Sequence, residues 1–67
     1  MSRRDEEPVV VAEFGDREAA EAAWLTITAA GIAAAVITDD PPWGTTTHRI
    51  QVERRHAASA LQALDAS

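Results

Sequence analysis

His48 and His56 are the only histidines of the chain, and no cysteine accompanies them. A zinc site wants three or four nitrogen, sulfur or oxygen ligands. One arrangement approaches that number: His48 with Asp39 and Asp40, brought together across a hairpin. Adjacent carboxylates in an extended segment point apart, however, and no third one is near in sequence. Asp39 and Asp40 read first as a solvated turn, and no metal is expected. Thr45-Thr46-Thr47 has no acid or base placed to activate a hydroxyl. Gly15, Gly31 and Gly44 are scattered, and each is explained by a turn rather than by a phosphate-cradling loop. The expectation is a non-enzyme with no catalytic residues and no cofactor.

Two kinds of binding chemistry remain. Trp43 sits in Pro41-Pro42-Trp43-Gly44, away from any helical stripe. A core this small uses whatever aromatics it has, so folding back as a cap is one reading. The other is an anchor for a partner protein, with Pro42, Asp39 and Asp40 around it, because tryptophan dominates interface energetics. Arg54-Arg55-His56 is the one local basic patch. At the start of a helix, and joined by Arg49, it can receive a phosphate or carboxylate. The blander reading is a set of exposed charges on an acidic molecule.

Eleven acidic residues oppose six arginines in 67 residues, for a net charge of −5. Phosphate backbones demand a positive footprint, so nucleic acid is excluded as a partner, and anionic membrane surfaces are disfavoured by the same argument. No apolar run approaches the roughly 18 residues of a membrane span. The charged opening Arg3-Arg4-Asp5-Glu6-Glu7 holds no signal-peptide core, so the expectation is a cytoplasmic protein. The length allows one domain, here residues 8–65 behind a flexible tail over 1–7. Such a domain buries only about 60% of its unfolded surface. Without disulfide or metal staples, self-association or docking is the expected support.

The elements that must position these residues follow from pattern. Val9 to Phe14, opened by Pro8, is a strand apolar on both parities, so both of its faces should be covered. Asp16 caps a helix over about Arg17 to Ala30, with a stripe of Ala20, Ala23, Trp24, Ile27 and Ala30. Gly31 stops it, with Ile32 placed for the accompanying contact. Ile32 to Thr38 reads as a second strand, Asp39 to Thr47 as a loop, and His48 to Glu53 as a cleanly alternating third strand. A last helix over Arg54 to Leu64 presents Ala57, Ala60, Leu61 and Leu64. The class is α+β, βαββα. With strand 3 inserted between the other two, both helices cover one face of a three-stranded, mainly antiparallel sheet. This is a ferredoxin-like arrangement lacking its fourth strand. Strand 1 is then an apolar edge with one internal charge, a hazard unless paired.

A VVVAEF strand, a helix with an Ala-Glu-Ala-Ala step ending in Ala29-Ala30-Gly31-Ile32, and a small-residue strand make up the first half of a familiar pattern. An acidic loop, an alternating strand ending in Val52, and a helix with Ala57, Ala60, Leu61 and Leu64 complete it. The pattern resembles the short bacterial signal-transducing protein family, a domain of unknown function, over roughly Val9 to Leu64. The resemblance implies a βαββα fold of the PII-like, ferredoxin-like superfamily and carries no catalytic residues. The chain departs from the family in its unusually alanine-rich second strand. The expected function is a small non-catalytic regulatory or protein-interaction module. It would form a homodimer through its exposed sheet edge, or join a larger complex, and dock on a partner. The alternative is a small-anion or nucleotide-sensing domain binding near Arg49, Arg54 and Arg55.

Overall fold

The computed structural model describes residues 7–66. The tail expected over 1–7 therefore lies outside the described residues except for Glu7. The order is β1 (Pro8–Phe14), α1 (Arg17–Ala29), β2 (Ala34–Asp39), β3 (Thr47–Glu53) and α2 (Ala57–Ala66), with a short 3-10 turn at Arg54–His56 before α2. β3 lies in the middle of a three-stranded antiparallel sheet of order β1-β3-β2. No described helix is long and apolar enough to cross a membrane.

Alternation in β3 sets the layers. His48, Ile50 and Val52 are buried under the helices, while Arg49, Gln51 and Glu53 line the opposite face. Residues directly opposite in an antiparallel ladder share a face. Val9, Ala12 and Phe14 therefore join the helix side from β1, and Ala34, Val36 and Thr38 join it from β2. The core closes over this side with Ala23, Ile27, Ile32 and Ala60.

β1 corrects the expectation that both its faces are covered. Its register against β3 slips between Val10 and Ala12. The extra residue of a bulge switches which parity meets the helices. Val9 before it and Ala12 and Phe14 after it all reach the core side, and Val11 also packs on the core. Apolar residues on both parities thus serve one face. Val10 and Glu13 stay exposed on the other.

α1 begins as its residues dictate: Asp16 accepts from the Glu18 amide at 3.4 Å, with Glu18 in the first turn. It ends in a Schellman motif. The Gly31 amide donates to Thr28 O at 3.0 Å and the Ile32 amide to Ile27 O at 3.3 Å. Gly31 holds φ 85°, which Cβ disfavours. The motif claims Ile32 as a buried core contact, so β2 starts at Ala34 rather than at Ile32. Ala30 is the cap and is exposed, not part of the stripe. The last helix likewise starts later than expected. The Arg54 amide donates to Glu7 O at 2.9 Å, which prolongs the β1–β3 edge and winds Arg54–His56 as a tight turn. In α2, Ala60 is buried and Ala57 and Leu64 are half-buried, but Leu61 is 51% exposed and is no core residue.

Candidate functional site

The β2–β3 hairpin carries Trp43. Asp39 pairs with Thr47 at the last rung, and the chain leaves the sheet. The Thr46 hydroxyl donates to Asp40 Oδ1 at 2.6 Å and clasps the loop from within. Gly44 turns at φ 139°, and a Cβ there would meet Pro41 Cγ at 3.6 Å. Trp43 at the tip is 81% exposed, so it does not fold back to cap the core. Pro42, Asp39 and Asp40 are exposed around it, and Pro41 is half-buried beneath.

The histidine arrangement does not form. His48 turns inward opposite Thr38, and its Nδ1 lies 3.1 Å from Thr38 Oγ1. Asp39, one residue further along β2, belongs to the opposite face. Among the described residues, no three histidine, cysteine or acidic side chains come together to hold a metal ion.

The three arginines of the anion reading are spread out. Arg49 sits mid-sheet on the open face, opposite Glu13 on one side and Ile37 on the other, with its Nε shielded from water and unbonded. Arg54 lies 3.9 Å from Glu7 Oε2. Arg55 Nε approaches Glu53 Oε2 at 2.7 Å as a charge pair without hydrogen-bond alignment. Arg54 and Arg55 thus each face a carboxylate of their own chain, and His56 is half-buried in the turn.

Two surface features were not anticipated. One is a cleft of about 590 Å³ between α1 and β2, lined by Arg17, Glu21, Trp24, Leu25, Val36, Thr38 and His48. Its floor is the Thr38–His48 pair, and its rim is the Arg17–Glu21 ion pair at 3.0 Å. The helical spacing of Arg17, Glu21, Trp24 and Leu25 gave a partial signal, but only the register Thr38–His48 places the floor. The other is the second free edge. Strand order leaves β2 an edge like β1, but β2 is guarded less, with its one charge, Asp39, at its end. β1 carries Pro8, Glu13 and the bulge; β2 runs Ala34 to Thr38 without charge, proline or irregularity.

Comparison with family models, with curated proteins and with solved structures gives no match to this chain.

Proposed function

We propose that this chain is a small non-catalytic interaction module of the regulatory kind. It docks on a partner protein through the hairpin tip and associates through its sheet edges, as a homodimer or as a subunit of a larger assembly. The proposal extends to membership of the bacterial signal-transducing family that its helical stripes and Gly31-Ile32 resemble. The same proposal places it in the cytoplasm.

The observation that carries this reading is Trp43, 81% exposed on a loop braced by Thr46 and Asp40. A large aromatic standing in water gains its hydrophobic free energy only when a partner covers it. The test compares wild type with Trp43→Ala as immobilised bait in a lysate of the cells that make the protein. A partner held by wild type should weaken on the order of thirtyfold with the variant, the equivalent of about 2 kcal/mol for a hot-spot tryptophan. Circular dichroism should show both baits equally folded. Equal capture by both, or an unfolded variant, removes the hairpin tip as the docking site.

A further inference from the structure

We propose that two copies of this chain pair edge to edge through β2, antiparallel, across a two-fold axis that passes beside Val36 and normal to the sheet. This deepens the interaction-module reading and rests on it. The partner is the chain itself, and the product is a six-stranded sheet with all four helices on one side.

The first ground is the contrast between the two edges. Sheet edges that stay single are guarded by proline, charge or bulges. β1 has all three, in Pro8, Glu13 and the slip between Val10 and Ala12. β2 pairs with β3 rung by rung from Ala34 to Asp39, with no irregularity. The strand is therefore regular throughout, small or apolar from Ala34 to Ile37, with one hydroxyl at Thr38 and its single charge, Asp39, at the last rung.

The second ground is self-complementarity. A two-fold normal to the sheet keeps the helix layer on one side and must place some residue opposite its own copy. Centred on Val36, it pairs Ala35 with Ile37 and Ala34 with Thr38, five uncharged residues in all. Centred on Val36, Asp39 falls opposite Ala33, beyond the start of the strand, and keeps its water; centred on Ile37, it is drawn into the ladder against Ala35, and desolvating a carboxylate without a partner is costly. The Val36 register is the one that fits.

The third ground is charge. With a net charge of −5, two copies repel each other over most of their surface. A two-fold contact brings like against like, so it needs a locally neutral patch. The β2 edge is such a patch. The only charged residues lining the cleft beside it are Arg17 and Glu21, which neutralise each other at 3.0 Å. Leu25 is 58% exposed on the α1 wall of the cleft, across from Val36 on β2, and offers apolar area beyond the strand itself.

The chain has no cysteine, so a single introduced thiol reports position without interference. Opposed residues of an antiparallel pair have Cα atoms about 4.5–5.5 Å apart, within disulfide reach. Wild type should sediment as a dimer. Val36→Cys, equilibrated in a glutathione redox buffer at micromolar protein, should convert almost wholly to a covalent dimer. Thr38→Cys lies about 13 Å from its own copy in this register and should not cross-link. Nor should Val10→Cys on β1. A wild-type monomer at hundreds of micromolar overturns the pairing and leaves docking through Trp43 to its own test. A dimer cross-linked by Val10→Cys instead also overturns it, while edge pairing as such survives. Faster linking by Ile37→Cys than by Val36→Cys overturns the register.

Discussion

The indole N–H of Trp24 donates to the carbonyl oxygen of Ala34 at 2.9 Å. This bond ties α1 to the first residue of β2 through a side chain that also lines the cleft. Trp24→Phe keeps a ring but removes the donor. The partly buried Ala34 carbonyl then loses its side-chain partner. The expected loss is about 1–2 kcal/mol in a urea titration. A loss near zero would mean that water replaces the indole without penalty.

Gly31 holds φ 85° with nothing near the position of a Cβ, so the obstacle to substitution there is backbone conformation rather than space. Gly31→Ala should destabilise the domain by about 1–2 kcal/mol through the left-handed conformation alone. Thermal unfolding should register this as a drop of roughly 4–8 °C per kcal/mol in a domain of this size.

Ile50 and Leu61 separate a core position from an exposed one. Ile50 is fully buried at the centre of β3, and Leu61 is half in water on α2. Ile50→Ala should cost about 2–5 kcal/mol, enough to unfold much of a small domain at 37 °C. Leu61→Ala should cost well under half as much by the same denaturation measurement. Equal costs would place Leu61 in an interface that the isolated chain does not show.

Trp43→Ala should leave the unfolding free energy of the isolated chain unchanged within about 0.5 kcal/mol in a urea titration, as for other exposed substitutions. The same change at Trp24 should be plainly destabilising. The two tryptophans thus report different things: one the integrity of the fold, the other its surface.

Much of the architecture was legible because it rests on local chemistry. Asp16 and Gly31 bracket α1 through capping geometry that needs no distant partner. The alternation of Thr47–Glu53 assigns the buried face of β3 residue by residue. What was not legible depends on pairing across the chain. The Val10–Ala12 slip exists only relative to β3, so its apolar run looked two-faced. Composition alone makes Ile32 a strand residue, because the backbone bonds that claim it for the helix end are not visible there. For the site, Trp43 in its turn was visible as an anomaly, but only the exposure of the hairpin tip separates anchor from cap. The α1–β2 cleft joins residues that are separate in sequence, and nothing local marks Thr38 and His48 as neighbours.

The place of β3 between β1 and β2 also governs how the chain comes into being. β1 and β2 do not pair with each other, and every ladder bond either one makes within the chain is to β3. Pro8 waits for Glu53, and Ala34 for Val52. A nascent chain has therefore made two strands and a helix before any sheet exists for them. Loop closure over such separations is slow, and until β3 arrives both apolar strands stand open to other chains. A polypeptide stalled or cut in the hairpin holds two strands and no sheet.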